Sequence, residues 1–246
     1  MGPQRLLVSD IDGTLVGDDE ALARFAAWYA AEREGYRLVY ATGRHADSVE
    51  ALIESTDLPE PDAVISAVGT EIHDRDGRPW PGWHDRLADW DHGTVREALR
   101  EHAWLVPQPD AAQSRVKVSY DVPGLDGGAL LAVERTLEAH GLEAIVVYSQ
   151  SLHLDILPAV AGKGQAARFV ASGWGIPGTD VLAFGDSGND LELFRSGFRG
   201  TLVANALPEL AAVVDDDVYR SPERYANGVL DGIRHWTAEL ERSARG

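Results

Sequence analysis

Apolar and polar positions in the first third of the chain predict strands that alternate with helices. Compact apolar runs at residues 6–8, 36–41 and 63–65 have the length of buried strands. Between them, apolar residues recur at helical spacing, as they do from residue 21 to residue 29. Strands alternating with helices in this way predict a parallel, doubly wound sheet.

The pattern changes after a predicted hairpin at residues 70–78. The segment that follows is a less regular mixture of predicted helices, near residues 83–90, 94–102 and 130–139, and predicted strands at 116–120, 144–148 and 152–156. Alternation of strand and helix then resumes, with a strand at 181–184. We therefore predict an α/β fold, a Rossmann-like core formed by residues 1–80 and 159–246 and interrupted by an inserted α+β domain at 81–158.

Composition and charge narrow the classes of function. The chain has 246 residues, of which 44% are hydrophobic and 25% charged, as in an ordinary globular protein. Its net charge of -18 opposes binding to nucleic acids and anionic membranes, and it requires any phosphate site to supply its own positive charge. Solubility or salt tolerance would explain the acid excess equally well. The absence of cysteine excludes disulfides and thiolate chemistry. The first apolar run is too short for a secretion signal or a membrane span, so we expect a cytoplasmic protein.

The first candidate for chemistry is a pair of carboxylates at the end of the first strand. Side chains at i and i+2 of an extended strand point the same way, so Asp10 and Asp12 are expected to face one site. Ligands of open parallel sheets bind at the carboxyl ends of the strands. The alternative is a turn that is simply rich in Asp and Gly.

Three further segments follow predicted strands or begin predicted helices. Residues 185–190, Gly-Asp-Ser-Gly-Asn-Asp, cluster carboxylates that favour a cation, and oxygen ligands favour Mg²⁺ over Zn²⁺; Asp190 is equally suited to cap the next helix. Thr42 and Gly43 offer a hydroxyl and backbone amides to an anion. Lys163, between two glycines, adds positive charge, although an isolated lysine is more often a solvated surface residue.

These four segments, in this order, resemble the motifs of the haloacid dehalogenase-like (HAD) hydrolase superfamily. The resemblance covers the chain and implies a phosphatase in which Asp10 is the nucleophile and Asp12 the general acid and base. It implies phosphate binding by Thr42, Gly43, Lys163 and Asn189. It also implies a Mg²⁺ site formed by Asp10, the carbonyl of Asp12 and Asp186, with Ser187 and Asp190 in support.

The position and mixed content of the insertion suit the C2B type of cap. The segments at residues 68–72, 117–120, 154–158 and 225–230 make the chain look most like the sucrose-phosphate phosphatases. That resemblance implies a sugar phosphate as substrate, sucrose 6-phosphate first, with mannosylfructose phosphate, glucosylglycerol phosphate or assorted hexose phosphates as alternatives. A non-catalytic sugar-phosphate-binding partner of a glycosyltransferase is an alternative of another class. Polar groups suited to sugar hydroxyls are Arg44, Glu71, Lys117, Tyr120, Gln150 and Asp155.

Overall fold

The computed structural model describes residues 4–243, and the chain divides into two compact units. One unit, here called the core, comprises Met1–Trp80 and Lys163–Gly246, and the other, the cap, comprises Pro81–Gly162. The cap therefore ends four residues later than the predicted boundary at 158. The amide of Ala159 still donates to the carbonyl of Glu143, which extends the pairing of the cap sheet beyond that boundary.

The core contains a seven-stranded sheet in the order β11-β10-β9-β1-β2-β3-β4. All neighbouring strands are parallel except β3 and β4, which are antiparallel. In the hairpin predicted at 70–78, the first arm is β4, and an antiparallel bridge joins His73 to Pro79 across the turn. The strands are β1 Arg5–Ser9, β2 Tyr36–Ala41, β3 Ala63–Ser66, β4 Glu71–Asp74, β9 Val181–Gly185, β10 Arg199–Leu202 and β11 Tyr219–Arg220. β1 thus lies between β9 and β2, which places three predicted motifs at the carboxyl ends of adjacent strands.

Helices pack on this sheet as the apolar spacing predicts. They are α1 Asp19–Glu32, α2 Ala46–Ser55, α5 Lys163–Gly173, α6 Leu191–Phe194, α7 Pro208–Ala211 and α8 Tyr225–Ser243. Leu22, Phe25 and Tyr29 of α1 are buried in one apolar cluster with side chains of α8 and the central strands. α5 contacts β2 and β3 without belonging to that cluster. The parallel α/β core predicted from the sequence is confirmed.

The cap contains a four-stranded antiparallel sheet in the order β5-β6-β8-β7. Its strands are β5 Val106–Pro107, β6 Val118–Asp121, β7 Ala144–Ser149 and β8 His153–Pro158, and its helices are α3 His92–Leu99 and α4 Gly127–Ala139. A helix predicted near 83–90 is only a 3₁₀ turn, His84–Leu87. Only one residue of that turn, Leu87, is buried, which is too little apolar contact to stabilise a longer helix.

Short 3₁₀ turns also occur at Arg33–Gly35, Ala67–Gly69, Asp110–Ala112, Gly178–Asp180 and Gly188–Asp190. Within residues 4–243, no helix combines the length and the apolar composition needed to cross a bilayer.

Candidate active site

Asp10 follows the central strand β1 and is almost completely buried, with 4% of its surface exposed. Its amide donates to the carbonyl of Phe184 in β9, which extends the parallel pairing by one residue. Thr42 follows β2 and Asp186 follows β9, and both are buried. Because neighbouring parallel strands end at one edge of a sheet, these three residues lie at the same edge.

Lys163, the first residue of α5, is fully buried at this edge. Its ammonium donates to Asp10 Oδ1 at 2.9 Å, Asn189 Oδ1 at 2.6 Å and Asp190 Oδ1 at 2.7 Å. A lysine has three donors, so these contacts engage all of them. The structure therefore places Lys163 among the carboxylates, where it provides a positive charge next to the predicted nucleophile.

Asp190 is held by both of its oxygens. Oδ1 accepts from Lys163, while Oδ2 accepts from the backbone amides of Asp186 and Ser187 at 3.0 and 3.1 Å. Ser187 and Asp190 form a reciprocal capping box at the turn that carries Asn189. These bonds fix the Asp186 loop, which fits the supporting role predicted for Ser187 and Asp190.

The side-chain amide of Asn189 has its oxygen toward Lys163 and its nitrogen toward the loop of Thr42 and Gly43, here called the phosphate loop after its predicted role. Its Oδ1 accepts from Lys163 and from the Ser187 hydroxyl at 3.3 Å. Its Nδ2 lies near Gly43, 3.6 Å from where a Cβ on that glycine would lie. The amide donors of Asn189 thus face the loop formed by Thr42 and Gly43.

Carboxylate oxygens of Asp10, Asp186 and Asp190 lie within 4.8 Å of one another, a buried cluster that fits a metal site. Asp186 also accepts a hydrogen bond from the Thr14 hydroxyl at 3.0 Å. All donors are oxygen, the ligand type that Mg²⁺ prefers. Because Asp190 already has partners on both oxygens, Asp10 and Asp186 are the members best placed to hold a cation.

The electrostatics of this cluster also favour a cation. The pKa of Asp10 is raised from 3.8 to about 7, mainly by burial and also by the charge of the Asp190 carboxylate. Lys163 lowers this pKa but does not cancel the rise. Burial, with the charges of Asp190 and Asp10, raises the pKa of Asp186 to about 8. Burial alone would lower the pKa of Lys163, but Asp10 and Asp190 outweigh it and raise that pKa. The charge of Lys163 therefore does not fully neutralise the carboxylates, and a bound cation would stabilise their ionised forms.

The carboxylate of Asp12 is paired with Arg44. The guanidinium of Arg44 donates to both carboxylate oxygens, each at 2.6 Å, and to the Ser48 hydroxyl at 2.9 Å. The backbone carbonyl of Asp12, which the resemblance implies as a metal ligand, takes no part in this ion pair. Arg44, predicted as a residue at the substrate rim, contacts the predicted general acid.

The phosphate loop is supported by strained backbone in the 3₁₀ turn Ala67–Gly69. Ala67 and Val68 have φ of 47° and 59°, a conformation that costs non-glycine residues about 1–2 kcal/mol each. Their amides donate to the carbonyls of Arg44 and Thr42 at 2.8 and 3.0 Å. Glu71, close by in β4, accepts from the Ser66 hydroxyl at 3.1 Å. Neither this support nor the hydrogen bond from Thr14 to Asp186 was predicted from the sequence.

Of the predicted sugar-binding residues in the cap, the structure joins Lys117 and Asp155. Their side chains form a buried ion pair at 3.4 Å, and Asp155 also accepts from the Ser119 hydroxyl at 2.5 Å. Tyr120 is not brought to this group; it lies in the apolar cluster of the cap with Val118 and Leu154. Side-chain alternation along β6 sends it to the opposite face. Gln150 lies exposed in the turn between β7 and β8.

Comparison with known proteins gives matches along nearly the whole chain. A family model described as sucrose-6F-phosphate phosphohydrolase matches residues 3–237. Mannosylfructose-phosphate phosphatase of Agrobacterium fabrum is 35% identical, over 96% of this chain and 98% of that protein. Sucrose-phosphatase 1 of Nicotiana tabacum is 35% identical over 98% of this chain, which spans only 61% of the tobacco protein.

Among solved structures, the sucrose-phosphatase of Synechocystis sp., in complex with sucrose and phosphate, superposes with a TM-score of 0.90. It is 32% identical, and the match covers 96% of this chain and 98% of that one.

Proposed function

This chain belongs to the sucrose-6F-phosphate phosphohydrolase family, and we propose that it is a Mg²⁺-dependent phosphatase of disaccharide phosphates, with sucrose 6-phosphate as the leading substrate. One observation carries the proposal: a buried carboxylate, Asp10, lies at the end of the central strand, 2.9 Å from the ammonium of Lys163. An anionic nucleophile with a fixed cation beside it is what attack on a phosphate ester requires.

In the first half of the reaction, an Asp10 oxygen forms a bond to phosphorus and the bond from phosphorus to the sugar oxygen breaks. The electron pair of the broken bond stays on the sugar oxygen, which takes a proton from Asp12. In the second half, Asp12 accepts a proton from water as that water attacks phosphorus. The bond from phosphorus to the Asp10 oxygen breaks, its electron pair restores the Asp10 carboxylate, and inorganic phosphate leaves.

Asp12 must first be released for this role. Both of its oxygens accept hydrogen bonds from Arg44. To carry a proton to the sugar oxygen, the carboxyl group needs one oxygen free, so Arg44 has to give up at least one of the two bonds when substrate binds. With a third of its side chain exposed, 33%, Arg44 has room to move.

Mg²⁺ would be held by Asp10, Asp186 and the carbonyl of Asp12. When bound, it supplies charge neutralisation, so that an anionic nucleophile and an anionic phosphate can approach each other. Thr42, Gly43 and the amide of Asn189 would donate to the non-bridging oxygens of the phosphate. Lys163 stabilises the ionised form of Asp10 from the side.

Specificity for the sugar is assigned to polar residues outside this cluster. Lys117 and Asp155 in the cap, with Arg44 and Glu71 in the core, are the side chains we propose for the hydroxyl groups. A site built on hydrogen bonds to hydroxyls strongly rejects ligands that lack them. Gln150 stays a weaker candidate because it lies in an exposed turn. Tyr120 is left out because it packs inside the cap.

Mannosylfructose phosphate is the second candidate substrate. The phosphatase of A. fabrum matches over nearly its full length, whereas the chain spans about three fifths of the plant sucrose-phosphatases. An association with a glycosyltransferase that makes the disaccharide phosphate is a further proposal, which pull-down with such an enzyme tests.

Phosphate release from a panel of substrates tests the function. The panel contains sucrose 6-phosphate, mannosylfructose phosphate, glucosylglycerol phosphate and hexose 6-phosphates, each with Mg²⁺ and with EDTA. Asp10→Asn should abolish release, and Asp57→Asn, at an exposed position, is the matched control. Hexose monophosphates should lose at least about tenfold in kcat/KM, the effect of ~1.4 kcal/mol of lost contact.

Equal turnover of hexose and disaccharide phosphates would refute a disaccharide-selective site. Release from no phosphosugar at all would leave the non-catalytic binding role as the better reading.

A further inference from the structure

A loop that follows β10 contacts two segments of the candidate active site: the turn at Gly13 and the loop that carries Asp186. The side-chain Nδ2 of Asn205 donates to the carbonyl of Gly13 at 2.6 Å. Two residues on, the amide of Leu207 donates to the carbonyl of Asp186 at 2.7 Å. One short segment thus bonds the turn that follows Asp10 and Asp12 and also the loop that carries Asp186.

The other end of the Asn205 amide is anchored on α8. Its Oδ1 accepts from the backbone amide of Tyr225 at 2.8 Å, where the helix begins. Tyr225 has φ of 50°, an unfavourable value for this residue type, and its ring lies against Gly17, where any side chain would collide with it. Both ends of Asn205 are therefore paired, which defines the orientation of its amide.

Gly13 is the point at which this anchoring matters for the site. It has φ of 80°, and a Cβ at this position would collide with the carboxylate of Asp186. The next residue, Thr14, donates to the same carboxylate at 3.0 Å. The placement of the Gly13 turn therefore sets where Asp186 lies relative to Asp10. Glycine backbone has unusually wide freedom, so a turn built on it needs external partners to hold one position.

We propose that Asn205 is a positioning residue that fixes the Gly13 turn against the Asp186 loop and so preorganises the cation site. The inference rests on the proposed function only in taking Asp10 and Asp186 as ligands of Mg²⁺. Asn205 contacts neither carboxylate. Its effect passes through the Gly13 carbonyl, and the long helix α8 provides the fixed end.

Binding of Mg²⁺ to the substrate-free protein, measured by calorimetry, tests this role. Asn205→Ala removes the hydrogen bonds to Gly13 and Tyr225 and should raise the Kd for Mg²⁺ about tenfold, which is equivalent to about 1.4 kcal/mol. The metal-free melting temperature should fall by no more than about 4 °C. Asn205→Leu, of nearly the native volume, should give the same result if the alanine variant does not fold.

Asn227→Ala is the matched control, since Asn227 lies on α8 and accepts a hydrogen bond from Arg24 away from the site. It should leave the Kd for Mg²⁺ unchanged. Asn205 variants whose Kd stays within about twofold of wild type, whatever their melting temperature, would overturn the proposal. Because no substrate is present, a wild-type protein that binds Mg²⁺ but releases no phosphate refutes the proposed function alone.

Discussion

Removal of the metal should make the stability of this protein fall as pH rises from about 5 to 8. Asp10 and Asp186 have pKa values of about 7 and 8 in the folded protein, against 3.8 as ordinary values. At pH values between the ordinary pKa and the raised ones, Asp10 and Asp186 hold protons in the folded protein that they have released in the unfolded chain. Stability changes with pH in proportion to protons bound in the unfolded state minus those bound in the folded state, so here it decreases.

The size of the effect follows from the number of protons. Each proton held only by the folded state changes the free energy of unfolding by about 1.4 kcal/mol per pH unit. For a chain of 246 residues this corresponds to about 2–4 °C in melting temperature. The raised pKa of Lys163 does not enter, because its stabilisation is complete below its ordinary value of 10.5.

Thermal melts at half-unit steps of pH, in EDTA and in excess MgCl₂, measure how the melting temperature changes with pH. In EDTA the melting temperature should fall by about 2–4 °C per pH unit for each proton, and Mg²⁺ should remove most of the fall because it binds the ionised carboxylates. The stabilisation by Mg²⁺ should therefore grow with pH.

Two variants make the test specific. Asp10→Asn and Asp186→Asn should each reduce the fall of melting temperature with pH in EDTA. At pH near 8, each metal-free variant should be more stable than metal-free wild type. Asp57→Asn, an exposed control, should keep the wild-type slope. If wild type and Asp186→Asn show the same slope of melting temperature against pH in EDTA, the buried carboxylates are not the cause of the pH dependence.

Other predictions address single contacts. Arg44→Met should lower kcat/KM for the disaccharide phosphate about tenfold or more in steady-state kinetics, because the sugar hydroxyls lose the charged donor that we propose for them, and the kcat/KM of Arg44→Lys should lie between those of wild type and Arg44→Met. Asp155→Asn should lower kcat/KM for the disaccharide phosphate but leave turnover of p-nitrophenyl phosphate within about threefold. Gly13→Ala should abolish Mg²⁺ binding in calorimetry, since its Cβ collides with Asp186. Inorganic phosphate should bind wild type measurably with Mg²⁺ and not in EDTA.

The arrangement of the core motifs could be predicted because it depends on local patterns and one topological rule. Each motif ends an apolar strand or begins a helix, and adjacent parallel strands bring their carboxyl ends together. The order β9-β1-β2 then places Asp186, Asp10 and Thr42 side by side. Strand alternation would also have separated Tyr120 from Lys117, which lie three residues apart.

Partners distant in sequence could not be predicted in the same way. Arg44 follows the phosphate loop directly, which suggested a substrate contact, and nothing local indicated that its partner is Asp12, 32 residues earlier. Asn205 lies 192 residues from Gly13, in a loop with no compositional signal. Such contacts depend on loop geometry set by the whole sheet.

The charges of the core site bear on the order in which ligands bind. Within residues 4–243, the structure shows two cations, Lys163 and Arg44, paired with members of a group of four carboxylates: Asp10, Asp12, Asp186 and Asp190. With every group ionised, the site retains two negative charges before any phosphate arrives. A phosphate dianion would enter against that charge and against the overall charge of -18. One divalent cation brings the site to neutrality. We therefore expect Mg²⁺ to bind before the phosphate when these groups are ionised, and the acid-rich surface favours the same order.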